Sequence, residues 1–250
     1  MAPMKLGESG QVAVVVGVGE SLGLGAALGR RFAREGLHVF LAGRTPERLE
    51  AVAEEISRAG GQATPVSCDT TQSEQVVALL DRAVADGGGL DLVAYNAGNN
   101  RFSALLDMSD EFFEELWRVC CLGGFLVGRE SARRMVAQGA GSILFTGATA
   151  SIRARPPFTA FASAKAGLRA VAQGMAREFG PQGIHVGHVI IDGAIDGDQL
   201  NKRFPGFRER KGEMGMLDID AIADAFWMLH TQHPSAWSQE LDLRPFKEEF

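Results

Sequence analysis

The sequence is poor in cysteine and in long hydrophobic runs, and each shortage excludes a class of protein. Among its 250 residues are three cysteines, an odd number without C-x-x-C spacing: Cys68, Cys120 and Cys121. This usage argues against a disulfide framework or a zinc site, and it favours reduced thiols in a cytoplasm. No run approaches the roughly 18 apolar residues of a membrane span, and the N-terminal residues lack a signal peptide's apolar core. We therefore expect a cytoplasmic protein without a membrane partner.

Positive charge is also in short supply. The formal net charge is −6, so the chain lacks the basic excess by which proteins recognise nucleic acid, and we expect no such partner. A hydrophobic content of 46% with 22% charged residues is typical of a globular protein that buries a large core.

Glycine, in contrast, is concentrated near the start of the chain. A continuous apolar run, Val12 to Val16, is what a strand covered on both faces needs. Directly after it come Gly17, Gly19, Gly23 and Gly25. An amphipathic run then begins, so that strand, glycine turn and helix follow one another. In this context glycines let the backbone approach a pyrophosphate, which the helix N-terminus attracts. The alternative is a tight turn without a ligand.

Strand and helix patterns alternate along the rest of the chain. Further buried strands are predicted at 37–42, 62–67, 90–95, 142–146, 184–191 and 240–243. Helices are predicted at 46–59, 73–85, 109–138, 158–179 and 218–230. This alternation predicts one doubly wound α/β (Rossmann) domain over residues 1–250, with a mostly parallel seven-stranded sheet. The polar, glycine-rich stretch 193–216 is interpreted as a mobile flap or short helical insertion at the carboxyl edge of that sheet.

Five short motifs in this order resemble those of the short-chain dehydrogenase/reductase family. They are Gly19-x-x-x-Gly23-x-Gly25, Asp69, Asn96-Ala97-Gly98, Ser163-Ala164-Lys165 and Asp192-Gly193. The resemblance extends over nearly the whole chain, and it implies an oxidoreductase that uses a nicotinamide dinucleotide on a small-molecule carbonyl or alcohol.

The resemblance also implies a cofactor-binding role for particular residues. Around the phosphates it places Gly19, Ser21, Leu22, Gly23 and Leu24. At the adenine it places Asp69 and Thr70, and along the adenosine ribose Asn96, Ala97 and Gly98. Toward the nicotinamide it places Lys165, Asp192 and Gly193, with Lys165 on the ribose hydroxyls.

The end of the second predicted strand bears on the choice of cofactor. In the family, NAD-preferring members carry an acid here that accepts a hydrogen bond from the ribose 2′-hydroxyl. This chain has Gly43 followed by Arg44. A guanidinium suits a 2′-phosphate, and the missing carboxylate removes repulsion against it. We therefore expect NADP(H) to be preferred over NAD(H); the alternative is that Arg44 is a solvated residue at a helix start.

The catalytic positions depart from the family pattern. The usual Tyr-x-x-x-Lys pair, in which the ammonium lowers the pKa of the phenol, is here Phe161 and Lys165. The usual serine position is Ala148, and the usual asparagine position falls near Cys120. Of the family's catalytic side chains, only Lys165 remains. The one tyrosine of the chain, Tyr95, lies on the fourth strand, where the family has no catalytic residue.

Three functions are compatible with this loss. The protein transfers hydride with a substitute donor, either Asp192 or one of five hydroxyls: Thr146, Thr149, Ser151, Thr159 and Ser163. Alternatively, it binds a dinucleotide without chemistry, as a sensor or scaffold. In the third reading, Lys165 is a base or nucleophile in non-redox chemistry.

Two surface features suggest partners. Arg153 and Arg155 follow the fifth strand, where they face either an anionic substrate or solvent. Aromatic residues are abundant around the two long helices: Phe102, Phe112, Phe113, Trp117, Phe125 and Phe158. The family pairs those helices between subunits, which implies a homodimer; intramolecular core is the alternative. Trp227, Trp237 and Phe246 could serve a second interface of a homotetramer.

Overall fold

A seven-stranded sheet forms the centre of the structure, a computed structural model that describes residues 11–248. Its strands are β1 (Val12–Val16), β2 (His38–Gly43), β3 (Gln62–Ser67), β4 (Leu92–Tyr95), β5 (Gly141–Thr146), β6 (Ile184–Ile191) and β9 (Glu240–Leu243). A separate pair comprises β7 (Ile195–Asp196) and β8 (Leu217–Asp218). The helices are α1 (Leu24–Arg34), α2 (Pro46–Arg58), α3 (Ser73–Gly87), α4 (Asp110–Trp117), α5 (Gly123–Gln138), α6 (Thr159–Phe179), α7 (Asp198–Arg203), α8 (Phe207–Lys211) and α9 (Ile219–His230). The segment expected to lack a signal peptide, residues 1–10, lies outside the described residues.

The strand order is β3-β2-β1-β4-β5-β6-β9, and every neighbouring pair is parallel. The chain runs outward from β1 to β3 and then returns to β4 on the other side of β1. Val16 at the end of β1 is level with Ala42 of β2 and Tyr95 of β4. The predicted α/β sheet is confirmed, and its topological switch point lies between β1 and β4, where such sheets bind ligands.

Helices cover both faces of the sheet. Along β1, Ala13 and Val15 pack beneath α1 and α9, whereas Val12, Val14 and Val16 face the layer of α3, α5 and α6. All five side chains are fully buried, and each buried valine contributes about 1.5–3 kcal/mol. No helix within residues 11–248 is both long and apolar enough to cross a bilayer.

The long helix predicted over 109–138 is divided by one π-helical turn, Arg118–Leu122. Tyr95 is fully buried, and its hydroxyl donates a hydrogen bond to the carbonyl of Val119 within that turn. A Cβ at Gly123 would lie 2.5 Å from the tyrosine hydroxyl oxygen. Tyr95 is therefore a structural residue that holds the turn in place, and the turn in turn positions Cys120.

The stretch predicted as a flap, 193–216, contains β7, α7 and α8, and β7 pairs with β8. It packs on the glycine turn: the backbone N–H of Asp198 donates to the carbonyl of Leu22 at 2.8 Å. Lys202 of α7 lies 3.6 Å from Glu20 in an ion pair. The flap therefore rests directly on the turn that follows β1.

Candidate active site

The turn after β1 is built by close backbone contacts. Gly17 has φ +91°, and a Cβ there would lie 2.4 Å from the amide nitrogen of Ala97. The side chain of Asn96 donates to the carbonyl of Gly17 at 3.2 Å. A Cβ at Gly25 would lie 2.5 Å from that same carbonyl oxygen. Gly17 thus joins the turns after β1 and β4, a role that counting glycines from Gly19 does not reveal.

The N-terminus of α1 is suited to an anion. Gly23 is its N-cap and no side chain caps the helix, so the first N–H groups keep their hydrogen-bonding capacity and the positive end of the dipole. The side chain of Leu24 is buried in the core, which leaves its backbone toward the site. Nothing lies within 4 Å of a Cβ placed on Gly19. Room and donors for a diphosphate are therefore both present.

Ser21 and Leu22, also expected at the phosphates, make other contacts. The Ser21 hydroxyl donates to Glu55 of α2 at 2.8 Å. Leu22 is 58% exposed and its carbonyl accepts the hydrogen bond from the flap. The Ser21 hydroxyl is thus engaged with α2, and Leu22 connects the turn to the flap.

The end of β2 is closed to any side chain. A Cβ at Gly43 would lie 2.6 Å from the carbonyl oxygen of Val18, and the N–H of Val18 is itself bonded to Ala42 at 3.0 Å. Arg44, the next residue, is exposed. Its side chain makes no hydrogen bond or ion pair with any residue between 11 and 248. The guanidinium is therefore available for a phosphate.

Asp69 and Thr70, expected at the adenine, point in different directions. The Asp69 carboxylate accepts hydrogen bonds from the backbone and hydroxyl of Thr71, at 3.0 and 2.8 Å. The Thr70 side chain is buried, with its hydroxyl oxygen 3.4 Å from that of Tyr95. Thus Asp69 shapes the turn after β3, whereas the Thr70 side chain belongs to the interior.

Lys165 lies where three segments meet. It is 4% exposed, and its Nζ donates to the carbonyl of Thr146 at 2.7 Å. A Cβ at Gly98 would lie 3.4 Å from that Nζ and 3.5 Å from the sulfur of Cys120. Burial lowers the pKa of Lys165 below its usual 10.5, and Cys120 acts in the opposite direction. The ammonium is therefore fixed between the turn after β4, the π-helical turn and the end of β5.

Phe161 occupies the face of α6 next to Lys165. The Nζ of Lys165 lies 5.8 Å from the centroid of its ring. The ring packs with Cys120, Cys121 and Ala164 in a small apolar cluster. Phe161 thus offers a hydrophobic surface and no exchangeable proton at this position.

Asp192, considered as a substitute donor beside the nicotinamide, has its carboxylate engaged by other side chains of the protein. Its carboxylate is 2% exposed and accepts from the Thr149 hydroxyl at 2.6 Å. It also pairs with Arg153 and Arg244, each at 2.8 Å. Two guanidinium groups and one hydroxyl thus surround this carboxylate. Arg153 is accordingly engaged with a carboxylate of the protein, and it ties the loop after β5 to the end of β6.

Gly193, expected near the nicotinamide, lies against the C-terminal segment. A Cβ there would be 2.8 Å from Cδ of Pro245 and 3.0 Å from Leu217. This close packing leaves no room for a side chain at Gly193 and accounts for a glycine at this position.

The hydroxyls considered as substitute donors are mostly committed to the protein itself. Ser163 donates to the carbonyl of Ala160 at 2.8 Å, and Thr149 is bonded to Asp192. Ser151 is buried and accepts from the N–H of Ala148 at 3.1 Å. The Thr146 hydroxyl is buried without a hydrogen-bond partner in the described part of the chain. Three of these hydroxyls therefore already have hydrogen-bond partners within the protein. Lys165 is the cationic group at the centre of the site.

A buried polar chain that the sequence did not reveal supports the loop after β5. His188 is fully buried, with Nδ1 3.0 Å from Glu240 and Nε2 3.4 Å from the Ser151 hydroxyl. Glu240 also receives two hydrogen bonds from Arg169, at 2.6 and 2.7 Å. A Cβ at Gly147 would lie 2.5 Å from the imidazole. Burial lowers the pKa of His188 from 6.5 to about 4, so the ring is neutral at pH 7.

Known proteins are similar to this chain in sequence and in fold. A family model described as short chain dehydrogenase matches residues 11–205. The uncharacterized oxidoreductase YuxG of Bacillus subtilis (strain 168) is 34% identical over 203 residues, which cover 80% of this chain but only 29% of YuxG.

Solved structures resemble the chain over nearly its whole length. A short-chain dehydrogenase from Rhodopseudomonas palustris is 40% identical, with a TM-score of 0.81 and coverage of 96% of this chain and 100% of that one. A metagenomic short-chain oxidoreductase in complex with NADP is 29% identical, also with a TM-score of 0.81, over 96% and 99% of the two chains. Together with the switch point and the glycine turn, these matches show that the chain belongs to the short-chain dehydrogenase/reductase family.

Proposed function

We propose that this protein is an NADP(H)-binding oxidoreductase that acts on a small-molecule carbonyl or alcohol with an atypical catalytic centre. The observation that carries the proposal is the placement of Lys165. Its buried ammonium is fixed at the carboxyl edge of the sheet, although the family's tyrosine and serine are Phe161 and Ala148. When bound, the dinucleotide supplies a hydride at its nicotinamide ring.

The chain's own residues bind and orient the cofactor. The N–H groups at the start of α1 hold the diphosphate, and the turn of Asn96 and Ala97, fixed against Gly17, holds the adenosine ribose. Lys165 donates to the hydroxyls of the second ribose, while its charge stabilises negative charge that develops on the substrate oxygen. Phe161 excludes water from that side of the ammonium.

Arg44 is the basis for preferring NADP(H). Its guanidinium is exposed and uncommitted within residues 11–248, and Gly43 cannot be replaced by an acid without a clash. The NADP bound to the metagenomic relative agrees with this choice. We expect Arg44→Ala to weaken NADPH binding about 10- to 100-fold, because a charge-assisted contact is lost.

The measurement is a fluorescence titration with NADPH and with NADH. The matched control is Arg58→Ala, an exposed arginine at the far end of α2. An equal effect of Arg44→Ala on both cofactors would contradict the preference.

Turnover should be slow, because a missing general acid costs about 10²- to 10⁴-fold. The experiment is NADPH oxidation with a panel of carbonyl compounds, before and after Lys165→Ala. Loss of turnover in that variant is expected. Absence of binding of either dinucleotide would overturn the proposal.

A dinucleotide sensor without chemistry is the second candidate function. The packing of Phe161 against the two cysteines and the commitment of Asp192 to two arginines favour it. Tight binding without turnover in the native protein, with turnover appearing in Phe161→Tyr/Ala148→Ser, would select the sensor over the enzyme.

A homodimer is part of the same proposal. Phe113, Trp117 and Phe125 on α4 and α5 remain 38–39% exposed, and burial in an interface would remove this apolar surface from water. Phe246, 74% exposed, offers a second surface for a homotetramer. Light scattering after size-exclusion chromatography, repeated with Trp117→Glu, measures the mass of the assembly.

A further inference from the structure

Three phenylalanines lie after β4 and at the start of α6, next to Lys165, and we call Phe102, Phe158 and Phe161 the aromatic wall. The rings of Phe102 and Phe158 meet edge to face, 5.6 Å apart at 68°. Phe161 follows Phe158 by three residues at the start of α6, the spacing that brings side chains to one face. The N–H of Ser103 donates to the carbonyl of Pro157 at 3.1 Å and fastens the two loops together.

A cation lies at each end of the aromatic wall. The guanidinium of Arg203, on α7 of the flap, lies 5.1 Å from the centroid of Phe102. The Nζ of Lys165 lies 5.8 Å from the centroid of Phe161. Cations attracted to ring faces fix the planes of those rings. The wall is therefore an angled apolar surface, because two of its rings meet at 68°, with Arg203 of the flap at one end and the Lys165 ammonium at the other.

The chemistry of the site restricts what can be reduced on this surface. Hydride addition to an isolated ketone leaves an alkoxide, a strong base that needs a proton donor, and Phe161 has none to give. A quinone instead leaves a phenolate, whose conjugate acid has a pKa of about 10, as in tyrosine. Such an anion persists until water protonates it, and the Lys165 ammonium offsets its charge.

From these observations, and resting on the proposed function, we propose that the substrate is a planar quinone that stacks on the ring of Phe158 within the aromatic wall. The C–H bond at C4 of the reduced nicotinamide breaks, and its hydrogen and electron pair pass to one quinone oxygen. The other quinone oxygen becomes a phenolate, which takes a proton from water. The nicotinamide is oxidised and the quinone is reduced by two electrons, so no further reactant is needed.

The test compares two acceptors of one ring size, 1,4-naphthoquinone and 1-tetralone, in NADPH oxidation corrected for the reaction without protein. We expect the native protein to reduce the quinone and not the tetralone. Phe161→Tyr should raise the tetralone rate at least about 100-fold, because it restores a general acid beside Lys165. The gain on the quinone should be smaller, because a phenolate product needs no strong acid beside it. The matched control is Phe113→Tyr, the same change on exposed α4.

Binding provides a readout that does not depend on turnover. Calorimetry with anthraquinone-2-sulfonate and the NADP⁺-loaded protein measures the affinity of the wall for a planar quinone. Phe158→Ala should weaken this affinity roughly 3- to 10-fold, since a stacked aromatic contact is lost. Phe113→Ala should leave it unchanged.

Several results would overturn the inference: equal native rates on both acceptors, equal gains in Phe161→Tyr, or no effect of Phe158→Ala on binding. NADPH binding with neither acceptor reduced also rejects the quinone. If the native protein binds no dinucleotide, the proposed function itself is wrong. The fluorescence titration with NADPH and NADH therefore distinguishes this result from a failure of the quinone proposal alone.

Discussion

The two ends of the crevice are built on different principles. At the dinucleotide end, around β1, β2 and β4, the backbone itself makes the contacts, and hypothetical Cβ atoms at Gly17, Gly25 and Gly43 would lie 2.4–2.6 Å from other backbone atoms. At the catalytic end, around β5, β6 and β9, side chains make them, through Asp192 and His188 with their partners.

The difference has a physical consequence for how each end responds to substitution. A steric contact between backbones tolerates no added atom, but it needs no charge and no particular pH. A buried ion pair or imidazole tolerates small changes of shape, but it depends on every partner and on protonation. Substitutions at the dinucleotide end should therefore destabilise the protein through steric clashes. Substitutions at the catalytic end should destabilise it through the loss of ion pairs and hydrogen bonds.

The largest expected effect is at the catalytic end. Asp192→Ala leaves Arg153 and Arg244 without their shared carboxylate, and it should lower the free energy of unfolding by about 3–5 kcal/mol. The matched control is Asp242→Ala, whose 41% exposed carboxylate also contacts Arg244, at 2.7 Å, and should cost under about 1 kcal/mol. Urea denaturation measures both; equal losses would remove the distinction between buried and exposed pairs.

At the dinucleotide end, Gly17→Ala should cost about 3 kcal/mol, because its φ of +91° and the amide of Ala97 leave no place for a Cβ. NADPH binding should be lost together with this turn. Gly19→Ala is the control, with open space around its Cβ and an expected change within about 0.5 kcal/mol. Similar effects in both variants would refute the steric account.

A buried imidazole at the opposite edge of the sheet gives a further, pH-dependent contribution to stability. Burial lowers the pKa of His230, which is bonded to Ser142, from 6.5 to about 4. The unfolded chain therefore binds the proton first, so the stability from this residue is complete above pH 6.5 and is lost as pH falls toward 4. The loss is roughly 3 kcal/mol. Urea denaturation from pH 7 to 4 should show a shallower slope in His230→Gln and an unchanged one in the exposed His233→Gln.

The smallest effect concerns the contact between Tyr95 of β4 and the π-helical turn. Tyr95→Phe removes the hydroxyl that donates to Val119, and the loss of this hydrogen bond should cost about 0.5–1.5 kcal/mol. The π-helical turn that presents Cys120 should loosen with it, as amide hydrogen exchange at 118–122 would report. Unchanged exchange would show that Gly123 and Gly124 suffice to hold the turn.

Local patterns predicted the fold well. The predicted bounds of β3, β6 and β9 coincide with the observed ones, and β1 and the helix that follows it are also confirmed. The π-helical turn escaped prediction because its cause, the hydroxyl of Tyr95, is on a strand distant in sequence. The two-residue strands β7 and β8 were also missed, since they pair across the flap and have no period of their own.

The candidate site could be predicted only in part, for the same reason. Glycine and lysine positions follow from short motifs, and the placement of Lys165 beside Phe161 follows from helix spacing. The partners of Asp192 do not, because Arg153 and Arg244 come from different loops and only the fold brings them to it. Ion pairs between distant segments leave no periodic trace in the sequence.

Gly43 has a consequence for how this protein can change over evolution or by engineering. The carbonyl of Val18 lies where its side chain would begin, so a single substitution to aspartate displaces the glycine turn before it can accept from a ribose hydroxyl. A change of cofactor preference through this position therefore requires two substitutions together, one at Gly43 and one in the glycine turn.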